Sequence, residues 1–175
     1  MRFLLDTNAI SELGKPRPDP GFMAWHDQQA ETADRQEGIF LSVLLLGEMD
    51  RGILNLPESP KRAELSKRRD LILSVYRKRI LPVDVDVARR WGAVSDAHRR
   101  QGLTPGVIDE LIAATALVHD LTLVTRNVRH FEGLSVPVVA DGLDRTVSLR
   151  YRVPKGRDTV SWVRQSARPV SNRAQ

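Results

Sequence analysis

The chain has 175 residues, 41% hydrophobic and 28% charged, a globular composition at a length that suits one ordinary domain rather than two. It contains no cysteine, which excludes a disulfide scaffold, a thiolate metal site and cysteine nucleophile chemistry, and which agrees with a reducing compartment. The formal net charge of +5 is uneven: residues 1–140 carry 19 Lys plus Arg against 19 Asp plus Glu, and residues 141–175 carry 8 against 3, so the excess sits in a tail that either meets an acidic partner or is a solvated extension.

The chain opens MRFLLDTNAI, in which four apolar residues precede an aspartate. That is too few for a signal peptide or a membrane span, so a soluble, cytoplasmic protein without membrane contact is expected. Arg2 to Leu5 reads as a short strand ending abruptly at Asp6, with a helix beginning behind it from Ala9 to Leu13. GKPRPDPG is a loop, and a helix follows from Trp25 to Thr32. Ile39 to Leu41 is either a second strand or the start of the next helix.

Ser42 suits the N-cap of VLLLGEMDRGILNL, which the prolines at 57 and 60 end. Ser59 caps the next helix, with Pro60 at its first position, and this helix runs to about Lys78 with a strongly basic face. Ile80 to Val83 reads as a strand, and Asp86 caps a helix that Gly102 closes. Thr104 and Pro105 precede the most apolar helix, VIDELIAATALVHD; Leu121 to Thr125 and Val136 to Val139 are the last strands. Short strands alternating with helices imply an α/β protein, a three-layer α/β/α sandwich around a central, mainly parallel sheet of four or five strands. Residues 1–140 form that domain, and residues 141–175 are expected to be a basic, weakly ordered extension.

Three acidic residues stand where chemistry is possible. Asp6 ends an apolar strand, the position at which open α/β sheets place ligands, although a turn aspartate capping the next helix fits equally. Glu48 follows four apolar residues and a glycine on a core-facing helix, where a carboxylate needs a cation or a partner such as Arg51. Asp109 and Glu110 lie early in the apolar helix; adjacent residues cannot share a face, so one turns to the site and the other to solvent, unless both only suit the helix dipole. Carboxylates gathered within about 4 Å repel by roughly 4 kcal/mol at an effective dielectric near 20. Such a group requires a cation. An all-oxygen set favours Mg²⁺, Mn²⁺ or Ca²⁺ over zinc, and the histidines lack a paired spacing such as HExxH.

Three stretches carry a resemblance: LLDTNAISEL at 4–13, LSVLLLGEMDRGI at 41–53 and IDELIAATALVHDLTLVTRNVRHF at 108–131. In this order they resemble PIN-domain ribonucleases, specifically the VapC toxins of toxin–antitoxin pairs, over residues 1 to about 140. The resemblance implies that Asp6, Glu48 and Asp109 are acidic ligands of Mg²⁺ or Mn²⁺, with Asn127 as a fourth catalytic residue near the metal and Asn8 and Thr125 in support. The third motif of the family often ends in an aspartate before the phenylalanine, and here His130 takes that place, which bears on a second metal position.

The implied activity is metal-assisted hydrolysis of structured RNA such as tRNA, arresting translation. The implied partners are an RNA substrate, a small antitoxin protein, a second copy of the chain in a homodimer, and operator DNA reached only through the antitoxin complex. Lys61, Arg62, Lys67, Arg68, Arg69, Arg77, Lys78 and Arg79 either steer the RNA backbone or form a solvated face. The rival reading is a catalytically weak PIN-like module that binds RNA or a partner. A phosphatase with Asp6 as nucleophile is disfavoured because Asn8 stands where that chemistry commonly uses a second aspartate.

Overall fold

A computed structural model of the chain describes residues 2–31, 38–131, 134, 136 and 138–140. Its centre is a five-stranded sheet, wholly parallel, formed by β1 (Phe3–Leu5), β2 (Ile39–Ser42), β3 (Ile80–Leu81), β4 (Thr122–Thr125) and β5 (Val138–Ala140) in the order β3-β2-β1-β4-β5. Chain order runs outward from β1 to β2 and β3 on one side and through β4 to β5 on the other. The strand order therefore reverses between β1 and β4, and a crevice outside their carboxyl ends is the expected ligand position.

The helices are α1 (Thr7–Glu12), α2 (Pro20–Glu31), α3 (Val43–Leu54), α4 (Pro60–Tyr76), α5 (Val85–Arg100) and α6 (Val107–Val118). The period-two alternation of the strands divides the core between the two faces of the sheet. Leu4 and Leu123 face a cluster with Val87 and Val94 of α5 and Ile112, Ala113 and Ala116 of α6. Phe3, Leu5, Ile39, Leu41 and Val124 face the other way, against Ala9 and Ile10 of α1, Phe22 of α2, Leu45 of α3 and Ile72 and Tyr76 of α4. This is the three-layer α/β/α arrangement expected from the sequence. Fully buried leucines such as Leu4, Leu41, Leu45 and Leu123 each contribute on the order of 2 kcal/mol through removal from water.

Local chemistry sets the ends of the elements. Ser42 leaves β2 in an extended conformation and its hydroxyl accepts from Leu44 N at 3.3 Å, so Ile39 to Leu41 belongs to a strand. Ser59 accepts from Arg62 N at 3.2 Å, and Pro60 opens α4, which ends at Tyr76 rather than Lys78. Gly102, at φ 69°, closes α5, a left-handed conformation that glycine adopts without Cβ strain.

Several expectations are corrected. Helix α1 starts at Thr7 rather than Ala9, because Asp6 caps it. Helix α2 starts at Pro20 rather than Trp25: Asp19 accepts from Phe22 N at 2.9 Å and Pro20 takes the first helical position, while Thr32 lies outside the described residues. Asp84, not Asp86, caps α5 by accepting from Val87 N at 2.9 Å, which leaves Asp86 in the first turn. β3 is only Ile80–Leu81 and β5 is shifted to Val138–Ala140. The extension expected over residues 141–175 lies outside the described residues.

Candidate active site at the β1–β4 switch point

Asp6 and Thr125 end the two strands that flank the reversal of strand order. Asp6 N donates to Val124 O at 3.0 Å, which pins the exit of β1 to β4. The Asp6 backbone is extended, and Oδ1 accepts from Thr7 N at 2.6 Å as the cap of α1. Oδ2 accepts from the Thr125 hydroxyl at 2.6 Å and, weakly, from Asn8 Nδ2 at 3.5 Å. The turn reading of Asp6 is thus realised, and the cap stands at the carboxyl end of β1 beside the end of β4.

The Asp6 residue is only 4% exposed. Burial pushes its carboxyl above the ordinary carboxylate range, and the charge of Asp109 adds to that rise, while bonds from Thr125, Thr7 and Asn8 oppose it. Asp109, on the first turn of α6, is therefore electrostatically coupled to Asp6 on the far side of the sequence. Glu48 comes to the same region from α3, where its Oε2 accepts the hydroxyl of Thr7. Thr7 thus donates its backbone N–H to the Asp6 carboxylate and its hydroxyl to that of Glu48. Arg51, the alternative partner for Glu48, is exposed.

Asp109 meets a residue that the sequence marked only as a departure. His130 Nδ1 lies 2.9 Å from Asp109 Oδ2. Asn127 Nδ2 lies against the same imidazole, 2.7 Å from Nδ1 and 3.0 Å from Nε2. Asn127 N also donates to the Thr125 hydroxyl at 3.0 Å, which links the Val128–Phe131 3₁₀ turn to the Asp6 pocket. Asn127 thus reaches the acidic group through His130 and Thr125. Beside them lies an open recess of about 300 Å³ lined by Leu103, Thr104, Pro105, Gly106 and His130. Gly106 precedes α6 without a side-chain cap, and a Cβ there would stand 3.3 Å from Asp109 Oδ2. The glycine leaves that carboxylate room.

Glu110 does not look to solvent. It is buried between α5 and α6, where Oε2 accepts from Trp91 Nε1 at 2.9 Å and Oε1 pairs with His98 Nδ1 at 3.0 Å. Neither neighbour is in the site, so the helical phase separates Asp109 from a structural carboxylate one residue on. Glu12 is likewise buried and held by Lys15, by Asp19 N at 3.0 Å and by Arg126 at 2.6 Å. The bond from Lys15 is the main reason its carboxyl sits below the ordinary glutamate range. This cluster ties the end of α1 to the residue after Thr125.

The donor set suits a hard divalent cation. Asp6 is desolvated and repelled by Asp109, and Glu48 reaches Thr7 next to Asp6; repulsion between carboxylates is a condition that a bound cation relieves. No three acidic or imidazole side chains among the described residues form a preset ion cage. The direct neighbours of Asp6 are Thr7, Asn8 and Thr125. Of these, Asn8 and Thr125 were expected from the sequence; Thr7 was not, although its place directly after Asp6 at the first helical position was the available signal.

Residues 3–135 match the model of the PIN domain. The chain is similar to VapC ribonuclease Y4jK of Sinorhizobium fredii, 31% identical over 137 residues, covering 78% of this chain and 94% of the relative. It is similar to toxin FitB of Neisseria gonorrhoeae, 34% identical over 136 residues, covering 77% and 94%. Among solved structures, FitAB bound to the IR36 DNA fragment superposes with a TM-score of 0.70 at 33% identity, covering 78% of this chain and 93% of that one. A sheet whose strand order reverses at a buried aspartate, a match over most of the length and relatives above 30% identity agree: the chain belongs to the PIN-domain family.

Proposed function

We propose that the protein is a divalent-metal-dependent endoribonuclease, the toxin of a toxin–antitoxin pair, cutting structured RNA such as tRNA. The observation that carries this reading is the convergence at the β1–β4 switch point, where buried Asp6 feels the charge of Asp109 and shares Thr7 with Glu48. Relatives named as a VapC ribonuclease and a toxin support the activity and the role.

Asp6, Glu48 and Asp109 would hold Mg²⁺ or Mn²⁺. When bound, such an ion lowers the pKa of water and neutralises charge on the phosphate under attack. Thr7 and Thr125 fix the orientation of Glu48 and Asp6, so the carboxylates enter the reaction already positioned. Asn127 holds the His130 side of the site. Asn8 supports Asp6 from the first turn of α1. On α4, Arg68 and Arg69 are paired with Glu64, Asp50 and Asp70. Lys61, Lys67, Arg77 and Lys78 are exposed and available to the RNA backbone.

The solved relative is a FitAB assembly on DNA. That likeness supports a partner protein and a DNA-bound complex; we take the partner to be a small antitoxin that neutralises the chain and carries it to operator DNA, and the homodimer rests on the family resemblance alone. Residues 1–140 are the nuclease unit, and the basic residues 141–175 are an appendage to it. No helix among the described residues is long and apolar enough to cross a membrane, and the proposed place of action is the cytoplasm, with the translation machinery. The test is cleavage of a tRNA pool by the purified chain in Mg²⁺ or Mn²⁺. Cleavage should disappear with a chelator and in Asp6→Asn, and RNA binding without cleavage in every metal would support the binding-module alternative instead.

A further inference from the structure

We infer that Glu12 and Arg126 are positioning residues of the site: their ion pair fixes helix α1 and the segment leaving β4 against each other, and so sets the place of the Asp6 carboxylate. The inference rests on the nuclease reading above and adds to it two residues that act through others.

Three observations carry it. First, two adjacent side chains of the segment leaving β4 reach opposite ends of one helix. Thr125 donates to Oδ2 of Asp6, the N-cap of α1, at 2.6 Å. Arg126 Nη1 lies 2.6 Å from Oε1 of Glu12, the last residue of α1. Six residues of helix separate the two carboxylates by about 9 Å along the axis. Held at two such points, α1 cannot pivot about the bond between Asp6 and Thr125.

Second, the helix held in this way carries site residues. Asp6 caps it, the hydroxyl of Thr7 donates to Glu48, and Asn8 Nδ2 is 3.5 Å from Asp6 Oδ2. At six residues α1 is far too short to be stable in water by itself. Its direction is therefore set by the packing of Ala9 and Ile10 and by whatever grips its ends.

Third, Glu12 is a fixed anchor. It is 1% exposed, and its Oε2 accepts from Asp19 N at 3.0 Å. Asp19 in turn caps α2 by accepting from Phe22 N at 2.9 Å, and its Oδ2 is 4.0 Å from Arg126 Nη2. A buried carboxylate tied to a second helix cannot follow the guanidinium, so Arg126 is drawn to it. The planar fork of arginine then transmits direction as well as charge. Lys15, the other cation on Glu12, lies three residues on along the chain and links nothing to β4.

The experiment is native-state hydrogen exchange by NMR on the full chain and on Arg126→Gln, Arg126→Lys, Glu12→Gln and Lys15→Gln, beside Mn²⁺-dependent cleavage of tRNA resolved into kcat and KM. The reporter is the Asn127 amide, which donates to the Thr125 hydroxyl. Local loosening speeds that amide selectively, whereas a general loss of stability speeds the amides of β4 with it. Arg126→Gln and Glu12→Gln should speed exchange at Asn127 roughly tenfold more than at Leu123 and lower kcat by about tenfold at unchanged KM, the size of effect usual for groups that support a metal site. Arg126→Lys should recover part of both, and Lys15→Gln should show neither. Equal acceleration at Asn127 and Leu123, no acceleration, or a Lys15→Gln that matches Arg126→Gln overturns the inference. A raised KM at unchanged kcat, with a salt dependence of tRNA binding shallower by about 0.7–0.9, overturns it in favour of Arg126 as a phosphate contact. Failure of the unaltered chain to cut RNA in any metal overturns the nuclease reading, and the exchange at Asn127 still decides whether the pair holds the segment.

Discussion

The hydroxyl of Thr125 is the point at which the site is easiest to perturb without changing its shape. Thr125 is fully buried, donates to Asp6 Oδ2 at 2.6 Å and accepts from Asn127 N at 3.0 Å. Thr125→Val keeps the branched shape and removes both bonds. A hydrogen bond to a charged group contributes about 1.5–3 kcal/mol, and an amide left unpaired adds up to about 1–3 kcal/mol where water cannot reach it. Asn127 is only partly buried, so we expect a net loss of about 2–3 kcal/mol, or roughly 5–10 °C in Tm at this chain length.

The same bond holds the Asp6 carboxyl down against burial and the charge of Asp109. Its removal raises that pKa further. Within the window above the wild-type value the variant's native state then keeps a proton that the wild type has released, so its stability falls more steeply as pH rises through the Asp6 titration. The destabilisation should accordingly be larger at neutral than at acid pH, and the acid limb of the cleavage profile should move upward. Thr125→Ser should restore both properties. Thermal unfolding across pH, beside NMR titration of Asp6, reads the effect. An unchanged Asp6 titration in Thr125→Val would refute the reasoning, whatever happens to Tm.

Other consequences follow from neighbouring residues. Because the carboxyl of Glu12 is held below its ordinary value, chiefly by Lys15, it contributes stability above about pH 4.5 that is lost as pH falls through the depressed folded value. The stability difference between the wild type and Glu12→Gln, followed by denaturant titration, should therefore shrink on acidification; a constant difference contradicts the pairing. His98→Ala leaves the buried Glu110 with Trp91 alone, and loss of that hydrogen bond costs about 1.5–3 kcal/mol; a loss below about 0.5 kcal/mol by chemical unfolding would contradict the bond. Gly106→Ala puts a Cβ 3.3 Å from Asp109 Oδ2. Metal affinity measured by calorimetry should fall in that variant while Tm changes little, and an unaffected affinity would mean that Asp109 does not need that space.

Much of this arrangement could be read along the chain, for reasons that particular residues make plain. Asp6 stands out because an apolar strand stops at it, and Ser42 and Ser59–Pro60 announce their helices through local capping chemistry. The start of α2 is equally local: Asp19–Pro20 is a cap followed by a proline at the first helical position, masked by the two other prolines of the 14–21 segment, Pro16 and Pro18. Other features were not local. Which of Asp109 and Glu110 meets the site depends on Trp91 and His98 of α5, 19 and 12 residues away from Glu110. The bridge from Thr7 to Glu48 spans 41 residues and needs α3 docked on α1 before it exists. Periodicity gives a helix a face, but packing alone sets its phase.

The most direct measurement is a crystal structure of the full chain grown with Mn²⁺, using anomalous scattering to locate the ion. The account predicts an anomalous peak at the β1–β4 switch point with Asp6, Glu48 and Asp109 all coordinated to it. A well-ordered chain with no ion there, or an ion that leaves Glu48 turned away with Thr7, would contradict it.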